Sequence, residues 1–150
     1  MFFRHRSIVP VSAARLFAWH ERPEALLDLM PFSRWMRIED QVGGIAEDGR
    51  LTISIGAGPF RVRWKARHFG FVRGEQFCDE QVSGPFATWR HTHRFEAIGP
   101  DQSAYEDRVE CALPGGPLIN SLCEPILRML LTRMFEWRHR VVHQAMGRMP

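Results

Sequence analysis

Gly84-Pro85-Phe86-Ala87-Thr88-Trp89-Arg90-His91-Thr92-His93-Arg94-Phe95 decides how the chain is read. Successive side chains of a β-strand point to opposite faces, so Trp89, His91, His93 and Phe95 share one face and Thr88, Arg90, Thr92 and Arg94 the other. The first face is aromatic and imidazole; the second is basic and hydroxylic. Such a strand lines an interior with one face and meets solvent with the other.

The segments around it carry the same period of two. Strands are predicted over Arg34 to Val42, Arg50 to Ile55, Phe60 to Val72, Gln76 to Val82, Phe86 to Ile98 and Ser103 to Leu113. Gly43-Gly44, Asp48-Gly49, Gly56 to Pro59, Arg73-Gly74, Gly84-Pro85 and Gly99-Pro100-Asp101 supply turns between them. Six consecutive strands joined by short turns form an antiparallel meander. Before them, Phe2 to Val9 reads as an opening strand, and Ser12 as an N-cap whose hydroxyl accepts from Ala14 or Arg15 at the head of a helix over Ala13 to His20. A second short helix starts at Pro23 and runs to about Met30, where Pro31 stops it.

After Pro114-Gly115-Gly116-Pro117 the period changes. Ile119, Leu122, Ile126, Leu130, Met134, Trp137 and Val141 recur at spacings of three and four, which predicts one apolar stripe on a helix of about 28 residues, roughly 40 Å long. Pro125 should kink that helix or mark a break in it. The order is strand, two short helices, six strands and one long helix. That makes an α+β chain with a curved seven-stranded antiparallel sheet, read as one domain over residues 1–150.

Composition supports a globular chain. At 150 residues, 45% hydrophobic and 25% charged, it is long enough to bury a core and too ordinary in makeup to be disordered or fibrous. No apolar run reaches the roughly 18 to 20 residues of a membrane span, and the start lacks a signal-peptide pattern, so a cytoplasmic protein is expected. Cys78, Cys111 and Cys123 are too few and too scattered for a disulfide framework or a Cys-rich zinc site. The net charge of +3 is carried almost wholly by arginine and is not gathered as nucleic-acid binding requires. No P-loop and no dinucleotide fingerprint is present.

On the strand Phe60 to Val72, the apolar parity carries Trp64 and His68 and the other carries Arg61, Arg63, Lys65 and Arg67. Taking the more apolar parity as inward on each strand leaves His68, Asp79, Gln81, His91, His93 and Asp107 as inward polar groups. Burying a polar group without a partner costs roughly 1 to 3 kcal/mol, so these must pair with one another, with water or with a ligand. One reading is a network that satisfies itself. Another is acid–base catalysis by His91 or His93, oriented by Asp79 or Asp107. A metal reading takes the His91-x-His93 pair with His68 beside it; histidines two apart on a strand are common, so no metal is expected. The basic stripe reads as a solvated face with Glu80, Glu96, Glu106 and Glu110 as counterions. His139 and His143, one helical turn apart, suit the end of a helix dipole better than a metal. Met129, Met134, Met146 and Met149 suit an adaptable apolar surface.

In its element order the chain resembles the START-like (SRPBCC, Bet v 1-like) helix-grip superfamily along nearly its whole length. Trp19-His20-Glu21-Arg22-Pro23-Glu24-Ala25-Leu26, the Gly84–Phe95 stretch and Asp107-Arg108-Val109-Glu110 look like a bacterial ligand-binding branch whose members occur fused to, or beside, an epimerase-like protein. The resemblance implies a helix-grip fold with a cavity between the sheet and the terminal helix. It implies binding of a small hydrophobic or aromatic molecule, packed here by Trp64, Trp89, Phe95 and Met134, with His68, Asp79, Gln81, His91 and His93 at the polar end and no cofactor. The alternatives are a polyketide cyclase or dehydratase-like enzyme, with His91, His93 and Asp107 as candidate catalytic groups, and an interaction module for an epimerase-like partner.

Overall fold

The computed structural model describes residues 1–147. Its elements are β1 (Phe2–Val9), α1 (Ala13–His20), α2 (Ala25–Asp28), a single 3-10 turn (Ser33–Trp35), β2 (Met36–Val42), β3 (Arg50–Ala57), β4 (Phe60–Val72), β5 (Gln76–Ser83), β6 (Thr88–Gly99), β7 (Gln102–Ala112) and α3 (Gly116–Gly147). The strands form one antiparallel sheet in the order β1-β7-β6-β5-β4-β3-β2. The expected meander is therefore continuous from β2 to β7, and the opening strand closes its far edge against β7.

Local chemistry explains most boundaries. Ser12 Oγ accepts from the backbone N–H of Arg15 at 3.3 Å and caps α1. The expected helix from Pro23 to Met30 is regular only over Ala25–Asp28, because its flanks tighten into i to i+3 turns, Ala25 N–H to Arg22 O and Met30 N–H to Leu27 O. At the head of α3 the Asn120 amide accepts from the Leu113 N–H and donates to the carbonyls of Leu113 and Gly116. This ties the helix start to the end of β7. The helix passes through Pro125 without a break.

The apolar stripe of α3 differs from the expected one. Its buried residues are Leu131, Phe135, Arg138, His139, Val142 and Met146, while of the expected stripe Ile119, Leu122, Ile126 and Leu130 are exposed and Met134, Trp137 and Val141 only half-buried. The buried face is the neighbouring one, hidden in the sequence because an arginine and a histidine sit in its middle. His139 is thus not a solvated partner of the helix dipole. Met149 lies outside the described residues.

Two apolar clusters make the core. One joins α1, the far end of α3 and the sheet through Leu16, Phe17, Phe77, Phe95, Tyr105 and Val142. The other joins Phe3, Trp89, Val109, Leu131 and Phe135. Each large side chain removed from water contributes about 1.5–3 kcal/mol. On the outer face the basic stripe finds carboxylates: Arg67 bonds Glu80 at 2.6 Å, Arg63 bonds Glu39 at 2.6 Å and Arg90 reaches Glu80 at 3.4 Å. Glu96 and Glu106 pair with arginines of β1, Arg6 and Arg4. All three cysteines are free.

Candidate functional site

The two core clusters are separated by a polar seam. Along β6 it lies at His91 and His93, between Trp89 and Phe95; along β7 at Asp107, between Val109 and Tyr105; along α3 at Arg138 and His139, between Phe135 and Val142. Strand register sets the neighbours: His93 stands opposite Asp107, His91 opposite Asp79, and Asp79 opposite His68.

Asp107 is fully buried and gathers three imidazoles. His91 Nε2 lies 2.8 Å from its Oδ1, and His139 Nε2 lies 2.9 Å from its Oδ2. His93 Nδ1 is also 2.9 Å from Oδ1, out of line for a good hydrogen bond. A shell holds His139 in place: its Nδ1 meets Ser7 Oγ at 2.7 Å, and Tyr105 stacks on its ring at 4.3 Å. On the other side of the strand histidines, Asp79 Oδ2 lies 3.3 Å from His91 Nδ1 and 3.6 Å from His93 Nε2. The donor atoms of Asp79, His91 and His93 all fall within 4.8 Å of one another, so this trio could hold a metal ion.

The charges follow from burial and pairing. Burial alone would raise the Asp107 pKa, but the His93 charge and the bonds from His139 and His91 hold it well below the usual carboxylate range. Burial likewise works to raise Asp79, and His91 and His93 outweigh it. Burial would lower His91, yet its contacts with Asp107 and Asp79 carry it above the ordinary imidazole value. His20 has no such carboxylate. Burial pushes it down to about 3, so it is neutral near pH 7. Its Nδ1 donates to Leu16 O at 2.9 Å, which makes Nε2 the bare acceptor.

Seam residues His91, His93 and Arg138 line a cavity of about 260 Å³ between the sheet, the α1–α2 segment and α3. Its walls are largely apolar, with Leu26, Leu29, Ile53, Ile55, Phe77 and Phe86 among them, and exposed Glu21, Pro23 and Gln41 stand at its rim. Four buried lining residues have side-chain nitrogens without a hydrogen-bond partner among the described residues: His20 Nε2, His68 Nδ1, His93 Nδ1, which only faces Asp107 out of line, and Arg138 Nε. Arg138 also has no carboxylate within ion-pair distance among the described residues; its guanidinium lies over the Phe135 ring at 5.1 Å.

Of the residues singled out from the sequence, Trp64, His68, Asp79, Trp89, His91, His93 and Met134 line this cavity. Asp107 stands behind it, touching His91 and His93. Gln81 and Phe95 are elsewhere. The Gln81 amide donates to Phe86 O at 2.7 Å and accepts from its N–H at 3.3 Å, latching the turn before β6, and Phe95 packs against Phe17 and Tyr105 in the core. His20 and Arg138 were missed. The first could have been found from its place four residues after Leu16 on the apolar side of α1, the second from its spacing of three and four to Phe135 and Val142.

The solved structures place this arrangement among known folds. A nucleoside-diphosphate sugar epimerase from Corynebacterium glutamicum is similar over 95% of this chain, at 25% identity and a TM-score of 0.73, and the chain spans 28% of that protein. Norcoclaurine synthase from Thalictrum flavum, solved with dopamine and hydroxybenzaldehyde, aligns over all of this chain and 88% of its own, at 14% identity and a TM-score of 0.74. A START superfamily protein from Mycobacterium smegmatis aligns over 97% of both chains, at 13% identity and a TM-score of 0.66. At such identities the last two show the fold: a START-like helix grip. No curated protein sequence matches the chain. No helix among the described residues is long and apolar enough to cross a membrane. The model of the family described as polyketide cyclase / dehydrase and lipid transport matches residues 9–136, and with a sheet, helix and cavity of this form the chain belongs to that family.

Proposed function

We propose that the protein binds a small, mainly apolar or aromatic compound that carries oxygen at one end. One observation carries this reading: His20 Nε2, His68 Nδ1 and Arg138 Nε are buried on the wall of an apolar cavity with no hydrogen-bond partner among the described residues. Buried polar groups left unpaired cost about 1–3 kcal/mol each, which an occupant with matching oxygens offsets. A hydroxyl donates to His20 Nε2, and a carbonyl or carboxylate accepts from Arg138. An engineered cavity of about 150 Å³ takes up benzene, so 260 Å³ suits a compound of about two rings. The family match supports a ligand-binding or cyclase-like role. Native mass spectrometry of the protein purified from its own host tests the proposal. A stoichiometric aromatic or apolar compound, lost in Arg138→Leu and Trp89→Ala, supports it; a protein that stays empty after exposure to host extract counts against it.

A second reading follows from the His91–Asp107 contact at the cavity wall. Asp107 holds the ring and stabilises its protonated form, which equips His91 as a general acid or base for a cyclase or dehydratase-like step. Turnover of the bound compound, abolished in His91→Gln with affinity kept, separates this reading from simple binding.

A further inference from the structure

His91 and His93 each show one ring nitrogen to Asp107 and the other to Asp79. A neutral imidazole has one N–H. His91 Nε2 lies 2.8 Å from Asp107 Oδ1 and is hydrogen-bonded to it, whereas His93 Nδ1 lies 2.9 Å from the same oxygen but out of line. The nitrogens facing Asp79 lie at 3.3 and 3.6 Å and form no hydrogen bond with it. When His91 directs its Nε2–H at Asp107, its Nδ1 lone pair faces Asp79 Oδ2 across a gap that a cation can fill in place of a second proton. The spacing fits. Zinc bonded to nitrogen and oxygen at roughly 2.0–2.2 Å in a tetrahedron sets its ligand atoms about 3.4 Å apart.

We propose that Asp79, His91 and His93 bind a divalent transition-metal ion of the zinc class, with a coordination position open to the cavity. Nitrogen, nitrogen and oxygen from three side chains, with one position free, is the donor set of a zinc site that accepts a further ligand. Asp107 supplies the carboxylate that metal-bound histidines characteristically lean on, fixing their tautomers and ring angles. A second, separate observation points to the same wall: His68, opposite Asp79 in the sheet, is buried there with Nδ1 unpartnered. The site stands apart from the identity of any organic occupant, because its ligands are all protein atoms; the open position adds a Lewis acid to the polar end of the cavity.

The experiment uses the full chain, stripped with a chelator and titrated calorimetrically with zinc chloride, followed by crystals soaked in zinc and measured at the zinc absorption edge. The expected result is one ion per chain, an affinity lowered at least about 100-fold in Asp79→Asn, and an anomalous peak bonded to Asp79, His91 and His93. Equal affinity in wild type and a folded Asp79→Asn overturns the proposal. So does a wild-type crystal whose zinc peak lies elsewhere, for instance at His5 or His143, or which has no peak. The wild-type crystal decides the matter if Asp79→Asn does not fold.

Discussion

Protonation of His20 should be a measurable drain on stability in mild acid. The ring is 4% exposed, its Nε2 has no partner, and burial lowers its pKa from 6.5 to about 3. The unfolded chain takes up a proton near 6.5 and the folded chain does not. A depressed histidine therefore leaves stability whole above 6.5 and removes it as pH falls from there toward 3. Between about pH 7.5 and about pH 5.5 the loss from this one ring amounts to about 1.4 kcal/mol. His91 shifts the other way and gains stability over part of the same range, so wild type alone cannot isolate the term. The comparison is with His20→Leu, in which the shift at His91 is retained and the His20 term is gone. Urea unfolding of both proteins at the two pH values, with a chelator present, gives the difference of differences. The variant should lose about 1.4 kcal/mol less than wild type on acidification. Equal losses in the two proteins, within about 0.4 kcal/mol, would refute the reasoning, since they would show that the folded protein protonates His20 as readily as the unfolded chain.

Asp107→Asn removes the charge that three imidazoles share and should cost about 3–5 kcal/mol in urea unfolding; a loss below about 1 kcal/mol would show that the seam does not depend on that charge. Phe135→Ala empties a fully buried position where α3 meets the sheet and should cost about 3–5 kcal/mol, read as a lower thermal midpoint. Gly56 has φ 128°, and a Cβ there would lie 2.0 Å from Phe60 O. Gly56→Ala should therefore destabilise the β3–β4 hairpin by more than about 1 kcal/mol, visible as faster amide exchange in both strands.

Much of this was legible because strands advertise their faces. The alternation in β6 placed Trp89, His91, His93 and Phe95 on one side, and all four are buried. Parity says which face a residue takes and not which neighbour it meets. Parity alone therefore puts Phe95 and Gln81 with the cavity groups, whereas Phe95 fills the core and Gln81 spends its amide on the turn at Phe86. Which imidazole meets which carboxylate depends on strand register, set by pairings between segments distant in sequence. In α3 the reading slipped by one residue. Ile119, Leu122, Ile126 and Leu130 make an attractive stripe, but they are exposed, and the helix instead buries Arg138 and His139. Asp107 makes the burial of His139 tolerable from thirty-two residues away, a partner that helical periodicity does not reveal.

The seam between the two core clusters also bears on misfolding. A β-strand that slides two residues along its neighbour keeps the same side chains facing inward, so an all-apolar interior penalises such an error weakly. Here the sum of paired positions on β6 and β7 is fixed by His93 opposite Asp107. Sliding one way sets Phe95 against the carboxylate and His93 against Val109; sliding the other way sets His91 against it and His93 against Tyr105. The first slide moves His91, the strand imidazole hydrogen-bonded to Asp107, out of its reach while Asp107 remains out of water, at a cost on the order of several kcal/mol; the second leaves both strand imidazoles beside it. One of the two near-native competitors that an oily interior leaves populated is thereby penalised.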